Sequence, residues 1–371
     1  LPRAEYTDRE MIYFLTRLPG MGPASIRKIR DAAGPLSTLF DLDDLCFLSC
    51  GFNEEQLRLF RIYSERTEDI LNELDACEKR GIRFITEKEK EWPVKLSCIP
   101  SPPLYLFYAG ELPENKRPCA AVIGSRNATS YGIRMAEFIS AELAKEGIDI
   151  ISGMAVGIDG AAHRGALNAG GKSYAVLGNG VNICYPKENY DIYVRMGQEG
   201  GGGLISEYPP GAKSLASHFP SRNRLISGLA DVLIVTEARG VKSGSQITVN
   251  DALDQGKDVF ALPGRITDPL SRGCNDLIKN GAFILTSPSD ILEVLGVRKN
   301  GKLIPPKKSP AALTAEQKTV YDILDAESCF PDTIIHKTGL DPGKVMSILL
   351  KMELDGIITQ ASGNYYTTDT G

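Results

Sequence analysis

Histidine is scarce in this sequence: 371 residues contain three, His163, His218 and His336, far apart along the chain. Proteins hold zinc and its neighbours mainly with histidine and cysteine, and the eight cysteines do not make up the shortage. Cys46, Cys50, Cys77, Cys98, Cys119, Cys184, Cys274 and Cys329 form neither a Cys-x-x-Cys pair nor a cysteine–histidine cluster, so no metal centre is expected. Reduced thiols in the cytoplasm fit this usage best. No apolar run approaches the ~20 residues of a membrane-spanning helix, and the opening LPRAEYTDRE is charged, so no membrane partner and no secretion are expected. Positive charge is not in excess either. With a formal net charge of −5, any contact with nucleic acid must come from a local patch rather than from the field of the whole chain.

Several chemistries lack their motifs. No Gly-x-Gly-x-x-Gly with a following ribose-binding acid is present, which argues against nicotinamide and flavin cofactors. The only Gly-Lys-Ser, at Gly171-Lys172-Ser173, feeds a strand instead of a helix, and Ala166 stands where the first glycine of a P-loop belongs. There is no Gly-x-Ser-x-Gly elbow and no paired Cys and His to supply a nucleophile. Asp159 and His163 lie one helical turn apart and invite an acid–base pair; the plainer reading, which we favour, is a helix-capping Asp159 and a packed His163. No catalytic residue and no cofactor is therefore assigned.

What is present is an ordinary globular composition, 42% hydrophobic and 24% charged, on a chain long enough for two or three domains. Residues 1–78 read as short helices: a turn at Leu18-Pro19-Gly20-Met21-Gly22-Pro23, then Ala24–Ile29, then amphipathic stretches around Leu36–Leu48 and Glu54–Cys77. The turn is either a plain connection between packed helices or a helix-hairpin-helix (SAM-like) device that aims backbone N–H groups at phosphate. From Gly81 to Gly110, prolines at 100, 102 and 103 forbid a long helix, and short extended pieces joining two domains are expected. Apolar strands then alternate with amphipathic helices: Ala120–Gly124, Ile148–Ser152, Ser173–Leu177, Leu204–Glu207, Val232–Glu237, Asp258–Leu262 and Phe283–Thr286. That beat predicts an α/β, Rossmann-like, doubly wound and mainly parallel sheet over 79–297, with ligands beyond the carboxyl ends of its strands. A basic, proline-containing linker follows at 298–312, and 313–371 gives helices at Thr314–Ala326, Pro331–Thr338 and Asp341–Asp355 with a closing hairpin, the pattern of a winged helix.

Glycine-rich turns fall at successive strand ends, so they should converge on one rim of the sheet. Gly124-Ser125-Arg126 leads into a helix and offers free N–H groups with a cation, a plausible anion cradle. Ser152-Gly153, a loop before Lys187, and Lys242-Ser243-Gly244 share that rim. The stretch His218–Ala238 places Phe219, Arg222, Asn223 and Arg224 just ahead of a helix and a buried strand. Phe219 offers a face for stacking, and the others offer donors suited to phosphate and base edges. The alternative is that the arginines are solvated or paired with Glu237 while Phe219 is ordinary packing.

Taken together, GSRNATSYG (124–132), SGMAVGIDGAAH (152–163), AVLGNGVNICYPKEN (175–189), LISEYPPG (204–211), HFPSRNRLISGLA (218–230), KSGSQIT (242–248) and VFALPG (259–264) resemble, in order, the DNA-processing protein A family (DprA, also called Smf). The resemblance implies a non-catalytic, Rossmann-like protein that binds single-stranded DNA, protects incoming strands in natural transformation, helps load the RecA recombinase and displaces single-strand-binding protein. It implies DNA contacts at Gly124, Ser125, Arg126, Lys187, Phe219, Arg222, Asn223 and Arg224. It also implies a homodimer through Gly273–Ala282, with Asn275, Leu277 and Ile278 as interface candidates. The chain departs from the pattern at Ala216, where some relatives carry a basic residue and Lys213 is the nearest substitute, and at Gln246. The competing class is a nucleotide-processing enzyme of a related phosphoribohydrolase-like fold, whose PGGxGT loop is broken here at Pro263-Gly264-Arg265.

Overall fold

The computed structural model describes residues 6–240, 244–298, 302–303, 313–326, 329–354, 357–361 and 365–368. Compact units span Leu1–Leu295 and Gly296–Gly371. Among the described residues no helix is long and apolar enough to cross a membrane.

The first unit opens with helices α1 (Asp8–Thr16), α2 (Pro23–Ala33), α3 (Asp44–Ser49), α4 (Glu54–Ser64) and α5 (Thr67–Lys79). Their starts are written locally: Thr7 and Glu10 form a capping box on α1, Asn53 and Gln56 another on α4, and Pro23 occupies the first turn of α2. The long helix expected over Glu54–Cys77 is broken at Glu65-Arg66. The run expected over Leu36–Leu48 divides into a 3₁₀ turn at Leu36–Asp41 and α3, which Asp43 caps.

A nine-stranded sheet follows, with strands β1 (Ile82–Thr86), β2 (Tyr105–Gly110), β3 (Cys119–Ile123), β4 (Asp149–Ser152), β5 (Ser173–Val176), β6 (Gly202–Ser206), β7 (Val232–Val235), β8 (Asp258–Ala261) and β9 (Phe283–Ile284), in spatial order 1-2-6-5-4-3-7-8-9. From β6 to β9 every neighbouring pair is parallel; β1 and β2 add antiparallel at one edge. The segment expected to be a connector is thus part of the sheet. Its prolines sit in the crossing between β1 and β2, and the strands themselves contain none. Alternation explains the docking of the helices: Phe84, Tyr105 and Phe107 face the α1–α5 core, where Tyr13 packs edge-on against Phe84 at 5.4 Å, while Ile85 and Leu106 face the opposite core.

Helices α6 (Ser130–Lys145), α7 (Ile158–Asn168), α8 (Tyr190–Gln198), α9 (His218–Leu229), α10 (Gly244–Asp254), α11 (Arg272–Lys279) and α12 (Pro288–Val294) fill the gaps. The chain leaves β3 toward β4 and leaves β7 toward β8, in opposite directions. The carboxyl ends of these adjacent strands therefore diverge and open a crevice between them.

The second unit packs α13 (Ala315–Ala326), α14 (Pro331–Thr338) and α15 (Pro342–Leu354) around Val320, Leu324, Ile334, Val345, Leu349 and Met352, closed by an antiparallel hairpin of Thr359–Ala361 and Tyr365–Thr367. This is a winged helix. Where a linker was expected, Val297–Arg298 pairs with Lys302–Leu303; residues 304–312 lie outside the described set.

Candidate functional site

The crevice at the ends of β3 and β7 is a cleft of about 990 Å³. Backbone bonds assemble it. Ser125 N donates to Glu237 O at 2.8 Å, which lashes the loop after β3 to the end of β7. One residue on, Ala238 N donates to Leu270 O and Ala238 O accepts from Gly273 N, both at 2.8 Å, which brings the start of α11 to the same place. Arg126, Arg239 and Arg272 consequently line one cleft from loops far apart in sequence. All are exposed, and among the described residues none is in a salt bridge. Asp276, one turn along α11 from Arg272, also lines the cleft.

Glu237 does more than lend its carbonyl. Its buried carboxylate accepts from Thr129 N at 2.9 Å and from Thr129 Oγ1, and Thr129 Oγ1 in turn caps α6 by accepting from Gly132 N at 3.1 Å. The loop is pinned at both ends, leaving Arg126 and Asn127 projecting. A side chain at Gly132 would run into the Glu237 carboxylate, so glycine is required there for packing.

The stretch singled out in the sequence is itself helical. His218–Leu229 forms α9, and Pro220 is tolerated because it lies in the first turn, where no intrahelical N–H partner is lost. Helical geometry then separates Arg222 from Arg224, two positions apart. Arg222 turns inward: it is 5% exposed, and its Nη1 donates to Gly153 O at 2.7 Å and to Val176 O. Burial pulls its guanidinium down to about 10, opposed by the attraction of buried Asp159, and it stays charged at neutral pH. Burial likewise raises Asp159, with Arg222 the main opposing influence. Gly153 has no room for a Cβ, which would sit 2.7 Å from both Arg222 Nη2 and Asp159 Oδ2. Arg222 thus lines the cleft from a buried position, its Nη1 spent on the backbone beneath. Arg224 leaves the cleft altogether. Its Nη2 bonds both Glu207 oxygens, at 2.7 and 2.8 Å, so the arginine–carboxylate pair weighed in the sequence forms with Glu207 and not with Glu237.

Phe219 keeps a place in the cleft, with the Arg126 guanidinium 5.2 Å and that of Arg222 5.8 Å from its ring centroid. Gly124, Ser125, Asn223 and Gly244 also line the cleft. Ser152 does not: it is fully buried, its hydroxyl bonding Val122 O at 2.6 Å between neighbouring strands. Gly153 is absent from the cleft lining; its carbonyl holds Arg222 and its backbone also bonds Asp159. Lys187 is exposed, on a 3₁₀ turn outside the cleft lining. Lys242 and Ser243 lie outside the described residues. Arg239 and Arg272 escaped the sequence reading because an isolated arginine after a strand or at a helix start looks like any solvated charge; the surrounding EARG and SRGC carry no phosphate-loop signature.

His163 is fully buried, its Nδ1 2.7 Å from Ser173 Oγ, and burial drives it down to about 3. Ser173 Oγ donates to Ile150 O at 3.0 Å, so the imidazole Nδ1–H donates to the hydroxyl, and burial keeps the ring neutral. It is a packed residue outside the cleft lining. Of the expected interface residues, Asn275 spends its amide on Gly264, bonding its O at 3.0 Å and its N at 3.2 Å, while Leu277 and Ile278 are half-buried against the sheet core. Among the described residues no cluster of three or more His, Cys, Asp or Glu could hold a metal ion.

Fold and site define a class: a doubly wound α/β protein with a cationic, aromatic-floored cleft at its topological switch point. The model for DNA recombination-mediator protein A matches residues 83–296, and that for the DprA winged helix domain matches 304–364. Protein Smf of Escherichia coli K12 is 35% identical over 331 residues, 87% of each chain. DNA processing protein DprA of Streptococcus pneumoniae R6 is 45% identical over 201 residues, 54% of this chain and 70% of that one. The X-ray structure of S. pneumoniae DprA superposes with a TM-score of 0.64 at 34% identity, covering 78% of this chain and 98% of that one. DprA of Helicobacter pylori, whose structure is described in terms of a single-stranded DNA binding mode, gives a TM-score of 0.50 at 28% identity over 57% of this chain and 95% of that one. The chain belongs to the DprA/Smf family.

Proposed function

We propose that this protein binds single-stranded DNA in the β3/β7 cleft without catalysing a reaction, and that through this binding it protects incoming strands and helps load the RecA recombinase onto them. The observation that carries the reading is the gathering of Arg126, Arg239 and Arg272, with no salt-bridge partner among the described residues, beside Phe219 on a protein of net charge −5. Guanidinium groups neutralise and orient phosphates, and an aromatic next to them tolerates any base. The DNA-processing relatives and the H. pylori structure support the same reading. The nucleotide-enzyme alternative draws no support from His163, which is buried, neutral and outside the cleft lining.

The test is a titration of labelled oligothymidine and of duplex DNA at several salt concentrations. Preference for the single strand with a steep salt dependence is expected; equal affinity for duplex, or release of free base from nucleoside monophosphates, would favour the other class. For recombinase loading, the readout is RecA activity on a strand already coated with single-strand-binding protein, with and without this protein. The homodimer remains part of the proposal, supported by the half-exposed Phe283 and Ile284 on edge strand β9 close after Gly273–Ala282, and sedimentation of the intact chain tests it. In the winged helix, Lys344 is held by Glu316 while Met346 and Leu350 are exposed on the same helix, which suits a protein contact better than a phosphate contact.

A further inference from the structure

Tyr185 stands outside the cleft, yet its ring centroid is 6.2 Å from that of Phe219, the planes inclined by 40°. It is 51% exposed, whereas Phe219 is half-buried and has the Arg126 guanidinium over its ring at 5.2 Å. The Phe219 ring thus shares the cleft with Arg126, and the Tyr185 ring beside it is open to solvent. The Tyr185 loop is also held in place on both sides. Asn179 Nδ2 bonds Ile183 O at 2.7 Å, and Asn189 Nδ2 bonds Met154 O at 2.9 Å and Ala155 O at 3.0 Å. An exposed aromatic on a fixed loop, continuous with a cation-bearing ring, has the make-up of a stacking platform: it loses little freedom when a base lies on it.

We infer that Tyr185 is a second base-stacking residue of this protein, just outside the cleft that Phe219 lines. A strand whose phosphates lie along Arg272, Arg239 and Arg126 leaves the cleft past Phe219 and lays its next base on Tyr185, and exposed Lys187, two residues further, meets the phosphate that follows. Phe219 remains the aromatic of the cleft itself, with Arg126 over its ring and Tyr185 beside it. This rests on the reading of the cleft as a single-stranded DNA site.

The experiment compares wild type, Tyr185→Ala and Tyr185→Phe for binding to oligothymidine and to an abasic deoxyribose-phosphate strand of equal length, by fluorescence anisotropy at fixed salt. Tyr185→Ala should weaken oligothymidine binding about tenfold, leave abasic binding unchanged and keep the wild-type slope of affinity against salt. Tyr185→Phe, which keeps the ring, should match wild type on both strands. The inference is overturned if Tyr185→Ala binds oligothymidine as tightly as wild type, or if it weakens both strands equally, since the latter would mean a role in the fold alone. Wild type that binds neither strand would bring down the cleft reading itself, and this inference with it.

Discussion

The guanidinium of Arg126 rests over the ring of Phe219, 5.2 Å from its centroid, although one residue lies in the loop after β3 and the other on α9. The ring fixes where the positive charge points, so charge and placement are separable by mutation. Arg126→Ala should lower the slope of log affinity against log salt by about 0.7, the value of one phosphate contact on a single strand. Arg126→Lys should restore the slope but not the full affinity, because an ammonium lacks the flat face that packs on Phe219. Salt titrations of both variants check this.

Arg222 should behave differently from Arg126 although both adjoin Phe219. Removing a buried cation leaves the Gly153 and Val176 carbonyls unpaired and Asp159 without its counter-charge. Arg222→Ala should destabilise the fold by about 3 kcal/mol or more, measured by chemical denaturation, and any loss of DNA binding should accompany the loss of structure.

The contrast between these arginines shows what was legible in the sequence. The parallel strands were readable to within one or two residues, because a strand covered on both faces is a continuous apolar run punctuated by glycine. The winged helix was readable from its helix starts and closing hairpin. The edge strands β1 and β2 were not, since the prolines between them masked an antiparallel pair. Nor could the fate of Arg222 and Arg224 be read: a proline at the third position of α9 looks like a turn, and only once the segment is known to be helical do the two side chains separate onto different faces. Arg239 and Arg272 depend on backbone bonds from Ala238 to residues more than thirty positions away, which no local pattern encodes.

Gly132 lies outside the cleft but governs it. A methyl group there would displace the Glu237 carboxylate and with it the Thr129 bonds that pin the Arg126 loop. Gly132→Ala should cost about 1–3 kcal/mol of stability and also weaken binding to oligothymidine, with thermal melting and anisotropy as the readouts.

His163 gives the fold a pH dependence of definite sign. Its pKa falls from 6.5 in the unfolded chain to about 3 in the folded one, so between these values the unfolded state holds the extra proton. The contribution is present above pH 6.5 and is lost progressively as pH falls toward 3, amounting to roughly 2 kcal/mol by pH 5. Denaturation of wild type and His163→Gln at pH 7 and pH 5 isolates it: the wild type should lose more stability on acidification than the variant.

The claim on which the functional account turns is that Arg239 and Arg272, read from the structure alone, share one phosphate-binding cleft with Arg126. The most direct measurement is the salt dependence of oligothymidine affinity for wild type and for the Arg239→Ala/Arg272→Ala double variant. A slope shallower by about 1.4, with an unchanged melting temperature, is expected if both guanidinium groups meet phosphate. A double variant with wild-type affinity and wild-type slope would show that the strand runs elsewhere on the molecule.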